Sequence, residues 1–148
     1  MGRREAREAT VRLLYGLEYH KDDVNNQVET YLEGDPDILP ALRKADEKYV
    51  VDISKGVMEH LEEIDGKIQQ YSKDWSFKRI PGIDVAILRL CIYELFYRKD
   101  IPVNVSINEA VDLAKRYGHD ESGTFVNGIL GNIYRDAQKE GTIVKEER

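Results

Sequence analysis

An apolar run from Ile83 to Tyr97 constrains the fold of this chain more than any other feature. Twelve of its 15 residues are apolar, and only Asp84, Arg89 and Glu94 interrupt it. A helix that is apolar on every side has to be surrounded by other elements. Because the run is too short to span a membrane and contains charged residues, we predict the central helix of a globular core.

Apolar residues recur at three- and four-residue steps through most of the remaining chain, which predicts further helices. The spacing predicts a first helix over about residues 3–19 and a second over about 23–32. Residues 45–71 are predicted to form either one long helix or two helices broken near Gly66. No segment alternates with period two for more than a few residues, so we predict an all-α fold without a sheet.

Two helices separated by a sharp turn are predicted within the stretch 103–130. Ser106 and Glu109 have the spacing of a capping box, in which each side chain bonds to the backbone amide of the other residue. Gly118 is expected to end this helix. Asp120 is expected to cap the next one, because a short carboxylate can accept a hydrogen bond from the free amides of a first turn.

The last predicted helix combines an apolar stripe with several glycines. Phe125 and Ile129 begin the stripe, four residues apart. The glycines are Gly123, Gly128 and Gly131. Each costs roughly 1 kcal/mol relative to alanine in a helix interior. We expect a compensating reason, and the usual one is close approach of another helix or of a ligand's backbone.

Composition limits the classes of protein to which the chain can belong. Its 148 residues, 41% hydrophobic and 34% charged, are typical of a globular domain, and we predict one domain over residues 1–148. The net charge of -6 argues against indiscriminate binding to nucleic acid, so any such contact has to come from a local basic patch. No signal peptide or membrane span is expected, which predicts a cytoplasmic protein.

Residue patterns for catalysis, metal binding and cofactor binding are absent from the sequence. The three histidines, His20, His60 and His119, lie far apart, and none has a second His or Cys at metal-ligand spacing. There is no phosphate-binding glycine loop and no nucleophile elbow. The single cysteine, Cys91, lies in the apolar run, where a buried inert thiol is expected. We therefore predict no enzyme activity, no metal site and no cofactor.

Three arginines gather on one flank of the predicted first helix. At about 100° per residue, Arg3, Arg4 and Arg7 lie together beside the apolar stripe. The planar guanidinium fork suits phosphate and stacks on bases, which favours a nucleic-acid contact. A helix end that serves only solubility would carry the same charge, and the residues alone leave both interpretations open.

Three ordered segments resemble the NusB family of bacterial transcription antitermination factors. They are GRREAREATVRLLYGLEY near the N-terminus, IDVAILRLCIYELFY in the middle, and INEAVDLAKRYG followed by an acidic turn and FVNGIL. The resemblance covers nearly the whole chain, and its specificity rests on the three segments occurring together in this order.

This resemblance implies a fold of about seven helices in two packed helical subdomains. It also implies a factor that pairs with NusE, a ribosomal small-subunit protein, binds boxA RNA of nascent ribosomal transcripts, and helps an RNA polymerase antitermination complex to read through terminators. An anionic protein with a small basic patch should bind RNA weakly alone, so we expect the partner to raise the affinity through effective concentration. Homodimerisation is left open.

The resemblance also implies which residues touch RNA. In the family the arginine-rich first helix contacts RNA, and an aromatic residue at the position of Phe125 lies on the same face. Phe125 has a core interpretation as well, because it begins the apolar stripe. Thr124 lies in a first helical turn, where free amides favour phosphate. Lys115 and Arg116, close by in sequence before the turn, are expected to add positive charge. The predicted RNA-binding residues are Arg3, Arg4, Arg7, Lys115, Arg116, Thr124 and Phe125.

Two alternative functions are retained. One is a helical scaffold that binds only proteins. The other is an RNA-binding module like the N-terminal domain of certain ribosomal RNA cytosine methyltransferases, although we expect a chain ending at Arg148 to lack room for a methyl-donor-binding domain. Titration with a boxA oligonucleotide discriminates between RNA binding and the scaffold.

Overall fold

The computed structural model describes residues 2–17, 44–72 and 79–143, and the regular secondary structure in these ranges is entirely helical. The six helices are α1 Gly2–Leu17, α2 Lys44–Glu59, α3 Leu61–Tyr71, α4 Gly82–Tyr97, α5 Val103–Tyr117 and α6 Ser122–Glu140. The predicted all-α class is confirmed. The helix predicted over residues 23–32 lies outside the described residues.

Two compact units divide the chain, Met1–Glu59 and His60–Arg148. In the first unit α1 packs against α2. The inward stripe predicted for α1 is confirmed at Ala6, Thr10, Leu13 and Leu14, which are all buried, whereas the side chain of Leu17 lies outside the description. On α2 the buried apolar residues are Tyr49, Val50, Ile53 and Val57. The first unit therefore has an apolar seam between its two described helices.

In the second unit α4 is the central helix, in contact with α3, α5 and α6. All residues from Asp84 to Ile92 are buried, so this part of the helix is covered on every side, as the apolar run predicts. Tyr97 at its end is 39% exposed. Cys91 is among the buried residues, so the expected buried thiol is confirmed.

Each charged residue inside α4 has a partner on a different neighbouring helix. Asp84 accepts a hydrogen bond from the Ser122 hydroxyl of α6 at 3.0 Å. Arg89 donates two bonds of 2.8 Å to the Asp65 carboxylate of α3. Glu94 accepts a buried bond of 2.7 Å from the Ser106 hydroxyl of α5. An unpartnered buried charge would cost several kcal/mol, so these contacts select which helices can surround α4.

The predicted capping box is wrong, because α5 begins four residues earlier than its spacing implies. Pro102 is the N-cap residue, and its carbonyl accepts hydrogen bonds from the amides of Val105 and Ser106, each 3.1 Å long. Ser106 therefore lies inside the helix, where its hydroxyl serves Glu94. A buried carboxylate needs a donor more than an exposed helix end does.

The predicted cap of the last helix is also wrong. Glu121 is the N-cap residue of α6, without a side-chain capping bond, and Asp120 is exposed before it. Gly118 does end α5, as predicted, but with an extended backbone at φ -97°. A Cβ atom there would lie only 2.7 Å from the Ala114 carbonyl oxygen and would also collide with Ser122. Steric crowding, not a left-handed backbone, explains this glycine.

The region predicted as one or two helices over 45–71 is divided at His60, and Gly66 lies inside α3. The His60 ring stacks on Tyr97 with 4.3 Å between the ring centroids. The Tyr97 hydroxyl donates a 2.8 Å hydrogen bond to Glu63 in the first turn of α3. Burial, with this bond, raises the pKa of Tyr97 to about 12. These contacts attach the start of α3 to the end of α4.

Candidate nucleic-acid interface

The three α1 arginines differ in exposure. Arg4 is exposed and the side chain of Arg3 is 41% exposed, but Arg7 is only 3% exposed. The expectation that all three guanidinium groups share a solvent-facing flank therefore needs correction at Arg7. Its side chain follows the buried neighbours Ala6 and Thr10 toward α2 instead of the solvent.

Two residues of α2 fix the arginines of the first turns. The Arg3 guanidinium carbon lies 4.5 Å from the centroid of the Tyr49 ring, and that of Arg7 lies 5.8 Å away. Arg3 Nε is also 3.9 Å from the buried Asp46 carboxylate. Cation–π contacts of this kind contribute about 0.5–2 kcal/mol each. Arg3 is thus held from one side by α2 while part of its side chain remains accessible.

The end of α5 supplies the second group of predicted cations. Lys115 is exposed, and its hydrocarbon stem crosses the first turn of α6, where a Cβ at Gly123 would lie 2.8 Å from the Lys115 Cγ. Arg116 lies 3.8 Å from Asp112 and 5.2 Å from the centroid of the Tyr117 ring. The Arg116 charge is therefore partly balanced within α5.

The first turn of α6 presents Thr124 and Phe125. Thr124 is exposed and Phe125 is half-buried, whereas Val126 beside them is fully buried. The Phe125 amide donates a 2.9 Å hydrogen bond to the Glu121 carbonyl, so it is part of the helix ladder. Partial exposure agrees with both interpretations of Phe125, as a core residue and as a surface for stacking.

A hydrogen-bond network orients this first turn. Ser122 Oγ donates to Asp84 Oδ2 at 3.0 Å and accepts the His119 amide proton at 2.8 Å. The network joins the start of α4, the turn after α5 and the start of α6. Gly118 has no side chain and so leaves room for Ser122. The position of Phe125 in the first turn of α6 therefore depends on Gly118 as well as on the hydrogen-bonded residues Asp84, His119 and Ser122.

Asp84 is the buried acid of this network. The residue is 2% exposed, and its Oδ1 atom has no hydrogen-bond partner among the described residues. Burial raises the pKa of the Asp84 carboxyl above its usual 3.8, against the smaller lowering effects of the Ser122 hydrogen bond and of the nearby His119. The low-dielectric surroundings disfavour the ionised form.

Beside the network lies an open cleft of about 800 Å³, large enough to hold a nucleotide-sized ligand. It is lined by Ile80, Pro81 and Phe125 on its apolar parts, and by Arg79, His119 and Thr124 among its polar residues. Asp84 and the exposed acids Asp120 and Glu121 contribute to the lining as well. The cleft is thus partly apolar and carries charges of both signs.

The predicted site residues fall into two groups on separate units. Arg3, Arg4 and Arg7 belong to the first unit, and the second unit brings the end of α5 against the first turn of α6 through Lys115 and Gly123. Sequence reasoning missed Arg79 and the bond between Ser122 and Asp84. An arginine directly before the Ile-Pro-Gly helix start was the available signal for Arg79.

Within the described ranges, no group of three or more His, Cys, Asp or Glu side chains could hold a metal ion. No helix among those described is both long and apolar enough to cross a membrane. Among the described residues of the second unit, the buried acids are Asp84 and Glu94, and each accepts a hydrogen bond from a serine hydroxyl.

Comparison with known proteins identifies a family. The NusB family pattern matches residues 4–135. The transcription antitermination protein NusB of Acetivibrio thermocellus is 48% identical over 135 residues, which are 91% of this chain and 90% of that protein. The protein of the same name from Ruminiclostridium cellulolyticum is 40% identical over 146 residues, covering 99% of this chain and 97% of its own length.

Solved structures agree with the sequence comparison. NusB of T. maritima superposes with a TM-score of 0.83 at 35% identity, covering 96% of each chain. A chain from a structure of the antitermination factors NusB and NusE in complex with double-stranded RNA gives a TM-score of 0.78 at 26% identity. That match covers 90% of this chain and 96% of the other.

Proposed function

This chain belongs to the NusB family, and we propose that it is a non-enzymatic transcription antitermination factor that binds boxA RNA together with NusE. The observation that carries the proposal is the match over residues 4–135, together with the similarity to a chain solved with NusE and RNA. We propose that residues 1–148 act as one RNA-binding domain in the cytoplasm, within an RNA polymerase antitermination complex.

Two surfaces are proposed to meet RNA. On α1, exposure supports Arg4 and the accessible part of Arg3 as phosphate contacts. In the second unit, the half-buried ring of Phe125 is proposed to stack on an unpaired base, an interaction of roughly 1–3 kcal/mol. The residues proposed to add charge and hydrogen bonds around it are Lys115, Arg116 and Thr124.

Arg7 receives a different role from the one expected. Because it is 3% exposed and lies against the Tyr49 ring, we propose that it supports the first turns of α1 instead of touching a phosphate. Removing it should lower the stability of the first unit, and any loss of RNA affinity should follow from that.

The charge of the molecule explains why a partner is needed. A protein of net charge -6 repels RNA overall, so a few exposed arginines provide only modest attraction. A partner with its own RNA contacts raises the affinity, because once the partner has bound the RNA, the arginines of this protein are held at a high effective concentration near it. We expect NusE to lower the apparent dissociation constant for boxA RNA by about tenfold or more.

Gel-shift titration with a boxA oligonucleotide, with and without NusE, tests the proposed function. Binding that is tighter with NusE supports it. Absence of RNA binding under both conditions would contradict the proposal and favour a scaffold that binds only proteins. Equal affinity in both conditions would contradict the role of the partner.

Variants of α1 test the proposed contact surface. Arg4→Ala should weaken binding several-fold and reduce the slope of log affinity against log salt by about 0.7–1, as expected for one lost phosphate contact. Arg12→Ala is the matched control, because Arg12 is also exposed on α1 but lies away from the predicted flank. A loss of equal size in both variants would show that general charge, not Arg4 itself, determines affinity.

A further inference from the structure

Arg79 is a cleft-lining residue to which the family resemblance assigns no role. It is exposed and lies immediately before the Ile80–Gly82 segment that starts α4. Its side chain lines the same cleft as Phe125 and Thr124. None of the described residues forms an ion pair with it.

We infer that Arg79 binds a phosphate of the nucleotide whose base stacks on Phe125, so that one RNA nucleotide occupies the cleft. The inference rests on the proposed function and adds a contact residue to it. The cleft of about 800 Å³ is large enough for a base with its sugar and phosphate. Ile80 and Pro81 provide an apolar lining for the base, beside the aromatic ring.

Charge in the cleft makes Arg79 necessary for this ligand. Asp120 and Glu121 are exposed acids on the same lining, and they repel a phosphate. The only basic side chains that line the described cleft are Arg79 and His119. The planar fork of arginine can bind a phosphate through two parallel hydrogen bonds. Arg79 is therefore the residue that offsets the local negative charge.

The hydrogen bond between Ser122 and Asp84 holds two sides of the cleft together, namely the start of α4 and the start of α6. Asp84 belongs to the first turn of α4, five residues after Arg79, and Ser122 is the first residue of α6, three residues before Phe125. Their 3.0 Å hydrogen bond joins the segment that carries the cation to the segment that carries the ring. Because this bond positions both Arg79 and Phe125, the two side chains can contact the phosphate and the base of the same nucleotide.

Titration of Arg79→Ala with the boxA oligonucleotide, without NusE, tests the inference. We expect binding to weaken roughly three- to tenfold, with the salt slope lower by about 0.7, the value for one phosphate of a single strand. Arg79→Lys should keep the slope, because it keeps the charge. Arg135→Ala is the matched control, since Arg135 is an exposed arginine of the same unit that does not line the cleft. Circular dichroism checks that each variant is folded.

A double-mutant cycle tests whether Arg79 and Phe125 meet the same nucleotide. If they do, the loss in Arg79→Ala/Phe125→Ala should be smaller than the sum of the two single losses, because either change releases that nucleotide. Additive losses would overturn the shared site. An unchanged affinity in Arg79→Ala, with wild-type protein still binding boxA RNA, would overturn the inference and leave the proposed function intact.

A protein ligand in the cleft would give another result. In that case Arg79→Ala would bind RNA normally by itself and would weaken binding to NusE measured without RNA. That outcome would also overturn the inference. Failure of the wild-type protein to bind boxA RNA both with and without NusE would instead contradict the proposed function on which the inference rests.

Discussion

At the scale of single residues, side chains of the same type have different roles according to their surroundings. Arg4 is exposed on α1, Arg7 is buried against an aromatic ring, and Arg89 is buried in a two-bond pair with Asp65. All three are basic residues on helices. Charge alone therefore does not identify a nucleic-acid contact, and exposure has to be known as well.

Buried Asp84 leads to a prediction about pH. The pKa of Asp84 is raised in the folded protein. Its contribution to stability is therefore complete below the usual pKa of an aspartate, and is lost as pH rises through the higher pKa of the folded state. Asp84→Asn keeps an acceptor for Ser122 without the charge, so the variant should be more stable than the wild type at pH 7. The difference should shrink as pH falls to about 4.

Urea unfolding midpoints at a series of pH values measure this effect. Asp120→Asn is the matched control, because Asp120 is exposed on the same cleft and should show no comparable difference. A variant less stable than the wild type at pH 7 would indicate that the ionised carboxylate stabilises the network.

At the scale of helices, periodicity located the elements and local cap motifs misplaced their ends. Ser106 and Asp120 have good capping chemistry, but neither caps a helix. The break after α2 occurs at His60, where the ring stacks on Tyr97, and not at Gly66. Contacts between helices decided where these helices begin. They satisfy buried polar groups, and leaving such a group unsatisfied costs more free energy than leaving an exposed helix end without a cap.

Replacing Gly128 and Gly118 by alanine is predicted to change the free energy of unfolding in opposite directions. A Cβ at Gly128 would meet no atom within 4 Å, so Gly128→Ala should raise the free energy of unfolding by about 1 kcal/mol, the helix-propensity difference. A Cβ at Gly118 would lie 2.6 Å from the Ser122 Cβ, so Gly118→Ala should lower it by roughly 1–3 kcal/mol.

Urea denaturation of both variants checks these signs. Loss of stability in Gly128→Ala would show that this position is more crowded than the structure indicates. The close approach expected for all three glycines of α6 is confirmed only at Gly123, under the Lys115 stem. Within the described chain, nothing in the structure explains Gly128 and Gly131.

At the scale of the whole molecule, the net charge of -6 should make RNA binding selective. General attraction to phosphate is weak for an anionic protein, so affinity depends on the few contacts that a particular RNA can reach. We predict that a homopolymer RNA of equal length competes poorly with boxA RNA at physiological salt. Competition gel shifts measure this, and equally effective competition would mean that generic charge dominates binding.

The amino-acid sequence by itself determined the helical class, the central position of α4 and the location of most helices. Apolar periodicity is a local property, and burial of the apolar stripe is the largest favourable contribution to folding. The resemblance of three ordered segments indicated the family as well.

Only the tertiary structure decided which helix partners each buried charge, where the helices end, and which arginines reach solvent. Asp84, Arg89 and Glu94 each bond to a residue distant in the sequence. Arg79 and Phe125 line the same cleft although they are 46 positions apart in the sequence. Such contacts depend on how the helices pack, and no local pattern records that packing.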